Sequence, residues 1–223
     1  MRKTPRLATA GLLAVTAMVV AMAVSACGGS VSDSALPSEA AVPAPAPGNG
    51  VTTPDQAFGP ICSQLPQNGI PGSPITMAGQ PVATAAATNP LLKSLTVAIR
   101  KAGVADTLNS APAATVFAPY DAAFTDLQQS IGPDKFNALL ANSGALADIL
   151  KYHVVVKRYD RAGLVAAGTV ATLQGGTVKI KNDGDTMDIT DNAGKTAHVL
   201  CGNLPTGNAT VFVIDKVLMP QQN

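Results

Sequence analysis

The chain has 223 residues, 47 % of them apolar and 13 % charged, with a formal net charge of +1. That apolar fraction is enough to fill a core and excludes wholesale disorder, and the length allows one ordinary domain plus appended segments. Three of the fifteen basic residues, Arg2, Lys3 and Arg6, crowd the first six positions; the remainder is slightly acidic and has no basic run, so a nucleic-acid partner is not expected.

In chain order, Arg2, Lys3 and Arg6 precede an apolar stretch over residues 7–24, the pattern of a secretory signal. Uncut, a stretch of that length is near the threshold for spanning a membrane. Val24-Ser25-Ala26-Cys27 decides between the two: an aliphatic residue, two small residues and a cysteine make a lipobox. The small side chains enter a signal peptidase in extended form, and the Cys27 thiol is the nucleophile that takes the diacylglyceryl group. Residues 1–26 are therefore read as a lipoprotein signal peptide and Cys27 as an anchor to the cell membrane, with everything after it extracytoplasmic. Two or more acyl chains give stable anchoring where one is marginal.

Residues 27–54 read as a tether of Ser, Ala, Pro and Gly, in which Pro43, Pro45 and Pro47 alternate with Ala44 and Ala46. This composition buries no core and leans toward polyproline II. Thr52 and Thr53 precede Pro54 and are candidate O-glycosylation acceptors, with an unmodified linker as the alternative. With Cys27 acylated, Cys62 and Cys201 are left as an even pair in an oxidising compartment, and a disulfide between them is predicted; two free thiols are the alternative. No metal site is expected, since the only histidines are His153 and His198 and no Cys/His spacing fits one.

Residues 55–223 read as the folded domain. Residues 61–87 look like mixed turn sequence. Asn89 and Pro90 look like an N-cap and first helical residue, followed by Leu91, Leu92, Leu95 and Ile99 on one face, with Gly103 as the stop. Residues 115–117 form a short buried strand ended by Pro119. Asp121 is placed as the cap of a helix carrying Phe124 and Leu127. Pro133 starts a helix with Phe136, Leu139 and Leu140. Another helix after Gly144 carries Leu146, Ile149 and Leu150. Residues 154–156 are a β-branched run. Beyond residue 170 the period changes to two: Val178 and Ile180, then Met187 and Ile189, alternate with polar residues around turn signals at Gly175-Gly176, Asn182-Asp183-Gly184 and Asp191-Asn192. Residues 198–200 and 211–217 complete the strands. Helices first and strands later argue an α+β fold.

Three stretches then carry a resemblance. Thr115-Val116-Phe117-Ala118-Pro119-Tyr120-Asp121-Ala122-Ala123-Phe124 resembles the first signature of fasciclin domains. Tyr152-His153 resembles their central Tyr-His pair. Thr210-Val211-Phe212-Val213-Ile214-Asp215-Lys216-Val217-Leu218-Met219-Pro220 resembles the second signature. The resemblance implies a wedge-shaped β-sandwich with helices packed at one side, and adhesion or surface interaction without catalysis. It makes Thr115, Phe117, Pro119, Tyr152, His153 and Asp215 signature residues and candidate interaction positions, with His153 expected to tie two elements together through a buried hydrogen bond. Animal members reported to bind integrins often carry Asp-Ile just before the second signature. Here Gly202-Asn203-Leu204 stands in that place, and Asn203 lacks the carboxylate that a metal-dependent integrin contact needs.

No enzyme chemistry is expected. No lipase-type Gly-x-Ser-x-Gly is present, the single Glu is Glu39 in the tether, and Ser143 reads as a helix cap. Asp183 and Asp185 read as turn residues, and Asn208-Ala209-Thr210 as a turn entering the last strand. No cofactor is implied. The expected partner is a protein, glycan or lipid at the cell surface, met by a monomer. An alternative to adhesion is carriage of an apolar envelope lipid in a pocket lined by Leu139, Leu146 and Leu150.

Overall fold

The computed structural model describes residues 49–67 and 69–221; Cys27, the signal segment and most of the tether lie outside these residues. From the start of the described chain come 3-10 turns at Pro54–Gln56 and Cys62–Gln64, then four helices: α1 (Pro74–Ala78), α2 (Val82–Thr88), α3 (Lys93–Ala102) and α4 (Ala105–Ser110). Strand β1 (Ala114–Pro119) leads into α5 (Asp121–Ile131), α6 (Pro133–Ala141) and α7 (Ser143–Tyr152). The remainder is β2 (Val154–Val155), α8 (Arg161–Ala167), β3 (Thr169–Ala171), β4 (Thr177–Asp183), β5 (Thr186–Thr190), β6 (Thr196–Pro205) and β7 (Ala209–Ile214).

The seven strands form one sheet in the order β2-β1-β7-β6-β5-β4-β3. Only β1 and β7 run parallel, in register from Ala114 opposite Ala209 to Pro119 opposite Ile214. The long β6 belongs to both halves of the sheet, and register shifts between Val199 and Leu204 bend it. The two halves fold face to face, and the sheet nearly closes where Val155 bridges Thr172 and the Leu173 N–H donates to the Val154 carbonyl. The architecture is the expected α+β one.

Every residue of β1 and β7 is buried, because each strand has a core on both faces. Val116, Ala118, Val211 and Val213 face the helices. Phe117, Phe212 and Ile214 face the opposite half-sheet, where Val178, Ile180, Met187 and Ile189 supply the alternating apolar residues of β4 and β5. The Phe117 and Phe212 rings lie 6.1 Å apart between centroids. The sequence TVF in one signature and TVFVI in the other is therefore a requirement of position in the sheet.

Cys62 and Cys201 are joined by a disulfide, with Cα atoms 5.1 Å apart. It pins the first segment to β6 beside a reciprocal backbone pair between Phe58 and Gly202. Gly202 is required there, since a Cβ would sit 2.5 Å from the Phe58 ring. The chain is already packed at Gly50, whose carbonyl accepts a hydrogen bond from buried Thr210, so the folded unit reaches a few residues ahead of 55.

Local expectations fail at several helix ends. Asn89 does not start α3; it closes α2, and its Oδ1 accepts the Leu91 N–H. α3 begins at Lys93, and its Ser94 N–H is satisfied at 2.7 Å by Asp121. Asp121 is thus the first residue of α5 and caps a different helix. Asn142, not Ser143, caps α7. The expected turn sequence contains α1 and α2, and α4 and α8 add two helices to the expected set. Both faces of residues 211–214 are buried, and the last strand ends at Ile214, short of the expected residue 217.

Asn208, in the turn between β6 and β7, holds much of the helical layer. Its Nδ2 donates to the carbonyls of Leu108 at 2.8 Å and Ala111 at 2.9 Å, and its Oδ1 accepts the Val82 N–H at 2.9 Å. Loss of these bonds leaves buried polar groups unpaired at about 1 kcal/mol each or more. Asn208→Ala is expected to destabilise by about 3 kcal/mol in urea unfolding, and Asn208→Asp by more, because a carboxylate then faces the carbonyls of Leu108, Asn109 and Ala111. An Asn208→Asp chain as stable as the parent would disprove the donor role.

Candidate functional site

The three signature stretches meet in one knot. α7 delivers Tyr152 and His153 to the edge of the sheet, where the His153 carbonyl accepts the Phe117 N–H at 2.9 Å. The imidazole is 2 % exposed. Its Nδ1 lies 2.8 Å from the Ile149 carbonyl and so carries the proton; Nε2 accepts the Leu218 N–H at 3.0 Å. Burial pushes the His153 pKa down to about 4, against opposing pulls from the Ile149 carbonyl and Asp191. The neutral ring thus ties α7 to the segment after β7, residues 216–220, which runs over the domain as a strap.

Asp191 is the strap's second anchor. It is buried, its Oδ1 accepts the N–H groups of Ala193 and Lys195 in its own turn, and its Oδ2 accepts the Met219 N–H at 3.1 Å. Tyr152 completes the knot, donating to the Thr177 carbonyl at 2.8 Å and accepting the Asn192 N–H at 3.0 Å. Burial raises its pKa. Nothing local in the sequence indicates that Asp191 bonds to Met219; its reading as a turn residue captures only half of its role.

The other candidate positions are placed as follows. Phe117 and Pro119 are buried, Phe117 between the half-sheets. Thr115 is buried, donating to the Lys157 carbonyl and accepting the Tyr159 N–H, both at 2.8 Å. Asp215 is partly exposed and accepts the His198 N–H at 2.7 Å. Asn203 sits at φ 58° in the β6 irregularity, and its Oδ1 accepts the Arg161 N–H at the start of α8. Thr52 is buried and Thr53 exposed, so only Thr53 is presented to a modifying enzyme. Of the candidate interaction positions, Asp215 alone reaches solvent; the others act through cohesion.

What the knot presents to solvent is a groove of about 180 Å³ between α5 and the strap. Leu127 and Val217 line its apolar part, and Asp126, Lys195 and Lys216 stand exposed around it. None of these three charges forms an ion pair among the described residues. The Lys216 Nζ donates to the Thr196 carbonyl at 3.4 Å. Two apolar pockets deeper in the domain are far smaller: about 20 Å³ between α2, α3 and the sheet, and about 10 Å³ where Leu139, Leu146 and Leu150 meet. Neither has room for a lipid chain as it stands. Among the described residues, no group of three His, Cys, Asp or Glu side chains gathers to hold a metal ion.

The Fasciclin domain family profile matches residues 90–220, from α3 through the strap. The chain belongs to the fasciclin domain family. It is 41 % identical over 155 residues to "Immunogenic protein MPB70" of Mycobacterium bovis, covering 67 % of this chain and 74 % of that protein. It is 39 % identical over 155 residues to "Cell surface glycolipoprotein MPB83" of the same organism, covering 67 % and 65 %. Its fold is similar to a FAS1 domain pair from the insect cell adhesion molecule fasciclin I, with a TM-score of 0.55 at 18 % identity, covering 63 % of this chain and 51 % of that one. In this fasciclin domain the family signatures form the parallel strand pair, the imidazole tie and the strap.

Proposed function

We propose that this fasciclin-domain protein is an extracytoplasmic, lipid-anchored interaction module that holds a protein or glycan at the cell surface and turns over no substrate. The observation that carries this reading is the burial of the signature. Tyr152, His153, Thr115, Phe117 and Pro119 are committed to cohesion, so function falls to shape and charge at the surface. The groove beside the strap is the contact face, because it joins apolar surface to three charges that form no ion pair among the described residues. The lipobox at Cys27 and the Pro-rich residues that follow support display from a membrane, as does the likeness to a cell surface glycolipoprotein.

Two measurements test this. Cys27→Ser is expected to abolish palmitate labelling and move the chain from the membrane fraction to the medium. Bacteria displaying the parent chain are expected to adhere to cultured cells or isolated cell wall more than vector controls, with Lys195→Glu/Lys216→Glu reducing the gain. Adhesion no greater than the vector on either surface would end the proposal.

A further inference from the structure

α6 differs from every neighbouring helix in how it is held. None of its residues is fully buried; Phe136, Leu139 and Leu140 are half-buried and supply its packing. Among the described residues, 133–141 make no hydrogen bond to another element; their bonds close on the helix itself, Gly132 and Asn142. The helix hangs between Gly132, at φ 86° and ψ 154°, and Asn142, the cap of α7. An element with few buried contacts and no tertiary hydrogen bonds opens at low free-energy cost.

The space around α6 is apolar on two sides. Beneath it lies the small cavity reached by Leu139, Leu146 and Leu150. On its outer flank, between α3, α5 and α6, lies a surface groove of about 220 Å³ whose apolar wall is Val97, Phe124, Phe136 and Leu140 and whose polar wall is Ser94, Thr125 and Gln128. Phe124, Phe136 and Leu140 belong to both, so the two spaces are separated only by side chains that α6 carries or covers. Outward movement of α6 joins them into one apolar slot entering the core from the groove.

The mouth of that slot is basic. Val97 is 40 % exposed, and helical spacing places Arg100 and Lys101 one turn beyond it on the same side of α3, with Lys93 one turn before. All three cations are exposed and unpaired among the described residues. Asp121 is engaged with the N–H of Ser94, a groove residue. We infer that the α3–α5–α6 groove binds a monomeric single-chain carboxylate amphiphile, with its alkyl chain between Val97, Phe124, Phe136 and Leu140 and its carboxylate at Arg100 and Lys101, and with α6 as the lid. The groove volume suits one alkyl chain and not the bulk of a diacyl lipid. This site lies apart from the groove beside the strap and does not depend on adhesion.

The test is calorimetric titration of the full chain with dodecanoate below its micelle concentration, together with hydrogen exchange. Saturable one-to-one binding is expected, weakened roughly tenfold by Arg100→Glu/Lys101→Glu and lost in Val97→Glu. These positions are exposed, so far-UV circular dichroism should be unchanged. α6 amides should exchange faster than those of α5 and α7 in the free protein and slow on binding. Dodecyltrimethylammonium should bind roughly tenfold more weakly than dodecanoate. Absence of saturable binding, binding unaffected by both variants, or binding only to anionic vesicles would overturn the inference.

Discussion

Between pH 6.5 and about pH 4 the folded domain is expected to lose on the order of 3 kcal/mol of stability through His153 alone. The imidazole titrates near 6.5 when unfolded and at about 4 when folded, so within this window the unfolded chain binds one more proton. The stabilisation is complete above 6.5 and is lost progressively as pH falls toward 4. The structural cause is specific: protonated Nε2 becomes a donor facing the Leu218 N–H, and the strap loses one of its two anchors. Urea unfolding across this range should show a slope of about 1.4 kcal/mol per pH unit. His153→Gln keeps a donor and an acceptor but does not titrate, so its slope should be flatter between pH 6.5 and 5. Equal slopes in the two proteins would mean that another group sets the acid response. Because Lys216, Val217 and Leu218 form one wall of the groove beside the strap, acid should also remodel that surface.

Breaking the Cys62–Cys201 bond is expected to cost more. The bridged residues are 139 positions apart, and chain-entropy reasoning puts closure of so long a loop at about 5 kcal/mol. That is a large share of the 5–15 kcal/mol typical of a domain. Thermal melts with and without reductant, and of Cys62→Ala/Cys201→Ala, should show a large drop in Tm. Cleavage should appear first near residues 55–65, which then keep only a few backbone bonds to β6. An unchanged Tm on full reduction would show that the first segment holds its place without the bridge.

Much of this was legible in local sequence, and several of the failures share one physical origin. The alternation of Val178 with Ile180 and of Met187 with Ile189 placed β4 and β5, because one face of each strand meets a core. The signature strands were legible as apolar runs, but that both their faces are buried follows only from their central place in the sheet. Helix starts failed where the cap comes from far along the chain. Ser94 is capped by Asp121, Val82 by Asn208 and Ala83 by Asn109. α2, with the sequence VATAAAT, has no local cap or polar stripe to announce it; its amides are satisfied by residues that other elements bring. α8 is different: Asp160 caps it at 2.7 Å through the Gly163 N–H, so Asp160 ahead of Leu164 is a local start signal. At the site, the pairing of His153 with a distant backbone group was foreseeable in kind. Its partner, the anchor at Asp191 and the unpaired charges beside the strap depend on how the chain comes back on itself.

The parallel pairing of β1 with β7 also sets an order of assembly. β1 emerges early, yet the strand that flanks it along its whole length is the last one made. Until residues 209–214 arrive, β1 has only the two-residue β2 beside it, and α2 and α3 have half a floor to rest on. Contacts this remote in sequence make closure slow and late. A chain delivered N-terminus first therefore stays pliable and threadable until its final strand is free. A premature stop ahead of β7 leaves β1 paired only with β2 and the apolar faces of α2 and α3 short of their floor, a state open to degradation.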